Sequence, residues 1–120
     1  MKQVKTMAAQ GDCMIRRATS IPKGFVEAAR NGPIIVSHSE TGHHHVVNNE
    51  GIKLFEPEDK KADSLVCFLQ MGTDVCSFDV EHLRTYDTHE TLRFLGEPGS
   101  IWEVRRQREH TPQGWRRVQD

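Results

Sequence analysis

Three consecutive histidines, His43, His44 and His45, follow Thr41 and Gly42 and lead into Val46 and Val47, with Glu50 shortly after. On an extended strand successive side chains alternate between faces, so His43 and His45 share one face and His44 takes the other. A His-x-His pair of this kind offers two neighbouring nitrogen ligands to one small metal ion. Neutral imidazole suits zinc, iron, copper and nickel. A mononuclear site needs one or two more ligands from a returning strand, and the chain offers Glu50, His82, His89, Glu90 and His110.

Parity ranks these candidates. Cys76, Phe78, Val80 and His82 share one face of an extended segment, which turns His82 inward with its apolar neighbours. Leu92 and Phe94 must face inward if their segment is a half-buried strand, and Thr88 and Glu90 share their parity. His89 then faces outward unless the chain bends between Asp87 and Glu90. His110 shares parity with Trp102 and Val104 but also with Arg106 and Arg108, which places it last. The expected metal set is therefore His43, His45, Glu50, His82 and His89, holding a divalent ion, zinc or iron foremost. The plain alternative is a solvated loop of histidines that binds nothing. His38 and His44 read as ordinary surface or capping residues. No Gly-x-Ser-x-Gly elbow accompanies the serines near the histidines, so serine hydrolysis is not indicated.

The elements that must position these residues read as short strands. Cys13 to Arg17, Ile34 to His38, His43 to Val47, Ile52 to Phe55, Ser64 to Met71, Val75 to Val80, Thr91 to Leu95 and Ile101 to Glu109 are apolar or alternating runs separated by turn residues. His110 to Gln113 interrupts the last of these, and Gly114 to Val118 forms a further short strand. Asn48-Asn49-Glu50-Gly51 predicts a hairpin-type turn with residues 52–55 as the partner strand. Residues 25–30 predict a turn or two of helix, and residues 1–10 a loose polar segment. The sum is an all-β single domain over residues 1–120, a small β-sandwich or small barrel.

Composition agrees with one thin core. The chain has 120 residues, 36% of them apolar and 28% charged. No run approaches the length of a membrane-spanning helix, and the opening residues lack the apolar core of a signal peptide. A cytoplasmic protein is the default expectation. Cys13, Cys67 and Cys76 are odd in number and show no Cys-x-x-Cys spacing, which argues against a disulfide framework or a four-cysteine zinc site. Cys67 and Cys76 sit in apolar runs, where a free cysteine acts as a small hydrophobe.

The net charge of −1 is unevenly spread. Residues 1–39 carry six basic and two acidic groups, residues 40–90 four and eleven, and the last twenty residues five arginines against three acids. Such asymmetry favours complementarity within the fold or between copies, and hence a homo-oligomer or protein assembly. Arg105, Arg106, Arg108, Arg116 and Arg117, interleaved with Trp102 and Trp115, make nucleic acid a second kind of partner. It is not the favoured one, because Arg105 and Arg106 fall on opposite faces of a strand.

The His43-x-His45 pattern with Glu50 five residues on resembles the first metal motif of cupins, in which two histidines and a glutamate bind from one hairpin. Pro98-Gly99, turning into a strand, resembles the start of the second motif. Ser37 and Pro57 stand where cupins flank the first motif with glycines, and Trp102 and Glu103 stand where the second would deliver a histidine. The stretches Thr41-Gly42-His43-His44-His45, Thr88-His89-Glu90 and Val104 to Pro112, with the ending Arg116-Arg117-Val118-Gln119-Asp120, also resemble a group of short bacterial and phage proteins to which no activity is attached. Together these imply a small metal-binding cupin-like protein of unspecified reaction. The alternative they leave open is a non-enzymatic assembly module, such as a virion or oligomer component. An enzyme would keep a coordination position open in a pocket, whereas a structural site would be closed.

Overall fold

A computed structural model describes residues 2–10, 13–30, 32–37, 44–59, 65–83, 91–106, 108–111 and 114–117, with the backbone alone at 37, 44, 82, 83, 108–111 and 114–117. The strands are β1 (Lys2–Val4), β2 (Met7–Gln10), β3 (Cys13–Ala18), β4 (Phe25–Glu27), β5 (Ile34–Ser37), β6 (His44–Val47), β7 (Ile52–Pro57), β8 (Val66–Met71), β9 (Ser77–Leu83), β10 (Leu92–Leu95), β11 (Ile101–Arg106), β12 (Arg108–Thr111) and β13 (Gly114–Arg117). The protein is all-β, a small sandwich of two sheets. The first sheet has five strands in the order β1-β10-β9-β6-β5, and the second has six, β2-β3-β11-β8-β7-β4. β12 and β13 form a separate two-stranded ribbon. Among the described residues no helix is long and apolar enough to cross a membrane.

Alternation builds the core. Val4, Ile34, Val36, Val47, Phe78, Val80, Leu92 and Phe94 come from the first sheet, and Cys13, Ile15, Ile52, Cys67, Leu69, Met71, Trp102 and Val104 from the second. Trp102 stands edge-on to Phe78 at 5.7 Å and to Phe94 at 5.3 Å, while Phe78 and Phe94 stack at 5.2 Å. These separations suit the ring quadrupoles, and together the three rings supply the largest apolar area in a thin core. The Trp102 Nε1 donor is buried without a hydrogen-bond partner.

The connections divide between the two ends of the sandwich. β2–β3, β5–β6, β7–β8 and β9–β10 are antiparallel pairs within a sheet, and all four turn at one end, the hairpin end. β1–β2, β4–β5, β6–β7, β8–β9 and β10–β11 cross between sheets at the other, the arch end, and β3–β4 runs from the arch end back to the hairpin end. The Asn48-to-Gly51 turn is therefore an arch and not the expected hairpin. Its residues specify a reversal, with Gly51 at φ 77°, but a reversal does not decide whether the flanking strands pair. Crossing lets Val47 and Ile52 face one core from opposite sides. The arch is locked by Gly72 N–H, which donates to Gly51 O at 2.8 Å. A Cβ on Gly72 would lie 2.7 Å from that same oxygen.

Two other expectations are corrected. The opening residues are ordered, β1 lying parallel to β10 and β2 antiparallel to β3. Their polar sequence is tolerated because edge strands bury few side chains, here Val4 and Gln10. Residues 25–27 are a strand and not a helix, paired to β7, and the Phe25 ring stands edge-on to Phe68 at 4.9 Å. Pairing and aromatic contact at a sheet edge override a weak local helical preference.

Candidate functional site at the hairpin end

β6 lies between β5 and β9 and carries His45 at its hairpin-end half, with Val47 sharing its parity. His45 is 1% exposed. Its burial is possible because Gln10, at the last position of β2 in the opposite sheet, reaches across the sandwich. Gln10 Nε2 donates to Val80 O at 3.1 Å, and its Oε1 lies 2.8 Å from His45 Nδ1. The carbonyl of Val80 can only accept, so the Gln10 amide must face it with NH2 and present Oε1 to the imidazole. Nδ1 therefore carries a proton, and in the neutral ring the lone pair sits on Nε2. This is the arrangement that orients metal-ligating histidines, whose other nitrogen donates to a fixed acceptor.

Register brings a second predicted residue to the same place. His45 is the direct cross-strand partner of His82, one step beyond Val47 with Val80 in the two-residue period of the pair. Directly opposed positions on one face have Cβ atoms about 5 Å apart. Glu50 is not part of this group. It is exposed in the β6–β7 arch at the opposite end of the sandwich, because β6 runs away from His45 before the arch begins. The hairpin geometry that the cupin pattern requires of Glu50 is absent, since β6 and β7 belong to different sheets. His43, His89 and Glu90 lie outside the described residues. The backbone of His110 falls in β12, opposite Trp115. Among the described residues no group of three His, Cys, Asp or Glu side chains is placed to hold a metal ion.

Two further residues mark this end, Gln10 with no sequence signal and Arg106 with only its parity. Gln10 reads as one polar residue before a Gly-Asp turn. Arg106 reads as one of many arginines, yet it occupies the inward parity of Trp102 and Val104. Its Nε donates to Val36 O at 2.6 Å, tying the second sheet to the first, and its Nη2 lies 3.4 Å from Cys67 Sγ. Burial pushes the Cys67 thiol up to about 11 against the opposing charge of Arg106. Cys67 is a protonated core residue at neutral pH and neither a nucleophile nor a ready thiolate ligand. Cys76, expected to be buried, is exposed in the β8–β9 arch.

The arginine and tryptophan series separates in the fold. Trp102 is fully buried and Arg106 is inside the hairpin end. Arg105 Nε donates to Glu103 Oε1 at 2.6 Å on the outer face of the six-stranded sheet, and Arg16 Nε donates to the same oxygen at 2.9 Å. Burial works to raise the Glu103 carboxyl, but hydrogen bonds from Arg105 and Arg16 outweigh it and hold the group below the usual carboxylate range. The ribbon sets Arg108 opposite Arg117 and Glu109 opposite Arg116.

A family profile described as a domain of unknown function (DUF8820) matches residues 9–107. The chain belongs to this family. Gln10, His45, His82 and Arg106 all fall inside the DUF8820 region, and the β12–β13 ribbon falls outside it. No curated protein and no solved structure matches the chain.

Proposed function

We propose that this protein binds a divalent metal ion at the hairpin end of the sandwich, with His45 Nε2 as one ligand and His82 as its cross-strand companion. The observation that carries the reading is the Val80–Gln10–His45 relay. It holds a buried imidazole in one tautomer, and in that tautomer Nε2 is the nitrogen able to donate a lone pair. The segment bearing His43 joins β5 to β6, and the segment bearing His89 joins β9 to β10. Both are hairpin-end connections, so both remain candidates to complete the set. A histidine-rich set suits zinc or ferrous iron. Glu50 has no place in it, so this site differs from the cupin pattern of two histidines and a glutamate from one hairpin.

The metal would act as a Lewis acid or activate a bound water if it keeps an open position, and would tie the loops together if it does not. The competing reading is an assembly module in which the relay only joins the two sheets. Its support is that Gln10 and His45 belong to opposite sheets and are joined by a hydrogen bond that needs no ion. Either reading fits a protein of the cytoplasm, or of a virion if the gene is carried by a phage.

Metal content of untagged protein, reconstituted in turn with zinc, iron, manganese and nickel, separates the two. About one equivalent is expected in the wild type, with loss in His45→Ala and in His82→Ala. Folded wild-type protein that retains none of the four metals would leave only the assembly reading.

A further inference from the structure

The two edges of the six-stranded sheet are complementary, and we infer that copies of this chain associate head to tail by pairing β2 of one with β4 of the next. Met7, 58% exposed, and Val26, 43% exposed, are the exposed large hydrophobic residues among the described positions, and they sit on these two opposite edges. Every pairing in the sheet is antiparallel. With six strands the two edges run in opposite directions, so a neighbour added along the sheet meets the edge antiparallel.

Backbone hydrogen bonding sharpens the match. In an antiparallel pair, residues that bond to one neighbour alternate with residues whose N–H and C=O turn to the other side. Arg17 N–H donates to Thr6 O at 2.8 Å, so positions 6, 8 and 10 face β3, and Met7 and Ala9 turn their backbone groups to the free edge. Ala28 N–H donates to Leu54 O at 2.8 Å and Glu58 N–H to Gly24 O at 2.7 Å. Positions 24, 26 and 28 therefore face β7, and Phe25 and Glu27 turn outward.

The faces agree as well. Met7 and Ala9 oppose Arg16 and Met14, on the face away from Cys13 and Ile15 of the core, and Phe25 opposes Pro57 on that same outer side, where it meets Phe68. Setting Met7 against Glu27 and Ala9 against Phe25 joins free donors to free acceptors. It keeps one continuous pleat and places Ala8 beside Val26 on the inner face.

Charge selects unlike edges over like ones. Residues 2–10 carry Lys2 and Lys5 and no carboxylate, whereas residues 23–29 and 53–59 carry four carboxylates against two lysines. Glu27 and Glu56 line a groove of about 360 Å3 with Val26 and Leu54 beside the β4 edge. Edges guarded against pairing usually carry charge that repels whatever approaches; edges of opposite sign instead attract each other. The contact is heterologous, so it propagates into a ring or an open helical array instead of stopping at two. Because each edge is only three or four residues long, the association should be weak and concentration-dependent.

Ala9→Pro removes an outward N–H from the β2 edge and Glu27→Pro removes one from the β4 edge, and neither donor serves the sheet itself. Light scattering and sedimentation of the wild type should show mass rising beyond the dimer with concentration and falling with salt. Each variant alone should stay monomeric, and an equimolar mixture of the two should form dimers only. Glu27→Lys, which leaves the backbone intact, should weaken wild-type association about tenfold if Glu27→Pro fails to fold. A wild type that remains monomeric to about 1 mM, or a single folded proline variant that still dimerises alone, would overturn the head-to-tail pairing. The outcome does not depend on whether metal binds.

Discussion

The arch end and the hairpin end of the sandwich close the same core by different means. Near the arches the closure is apolar and steric: Phe78, Phe94 and Trp102 pack ring against ring, and Gly51 and Gly72 let two crossings touch backbone to backbone. At the hairpin end the two sheets are joined by polar side chains, Gln10 to His45 and Arg106 to Val36 O. Apolar closure needs only shape, and its strength follows buried area. Polar closure contributes little net stability while every group is satisfied, and it is costly when one partner is removed. The metal site proposed above lies at this polar end.

The largest expected effect breaks the arch half. Phe94→Ala removes a fully buried ring from the aromatic trio, and denaturant unfolding should show a loss of about 4 kcal/mol. Metal stoichiometry of the protein that remains folded should not change, because Phe94 lies outside the relay.

Gln10→Leu tests the other half by removing the link while keeping the bulk. His45 Nδ1 and Val80 O would both lose a buried partner, for a loss of about 2 kcal/mol by the same measurement. If His45 ligates a metal, its affinity should fall about 10- to 100-fold in this variant, through loss of the fixed tautomer. Gln10→Leu that lowers stability but leaves metal affinity unchanged would assign the relay to sheet joining alone.

The smallest effect lies on the outer face, away from both ends. Glu103 is held below the usual carboxylate range by Arg105 and Arg16. A carboxylate depressed in the folded state contributes stability above its unfolded value, near 4.5, and that contribution is lost as pH falls through the lower folded value. Glu103→Gln should thus cost about 1 kcal/mol at neutral pH and less as acid is added. Thermal melts followed from neutral pH into the carboxylate range should converge for the two proteins. Parallel melting curves at every pH would show that the pair of arginines does not stabilise the folded carboxylate.

Much of the fold is legible locally. The alternation of Phe78 and Val80, extended to His82, predicts an inward register position for His82, and β9 places it opposite His45. Residues 101–106 and 66–71 likewise read as strands from their apolar alternation. The N-terminal strands are not legible, because an edge strand buries few side chains and leaves a weak pattern. The 48–51 turn reads correctly as a reversal and incorrectly as a hairpin, because the strands it joins, β6 and β7, lie in different sheets. Gln10 could not be found at all: its importance comes from a contact across 35 residues of sequence, with nothing local to mark it.

The chain by itself determined a small all-β domain, the inward parity of His82, and the uneven charge. Each of these follows from side-chain period and composition, which act over a few residues. Tertiary structure decided which turns are arches, which strands are edges, and that Gln10 rather than Glu50 is the partner of His45. Those outcomes depend on which sheet a strand joins, and sheet membership is settled by burying the faces of all the strands at once.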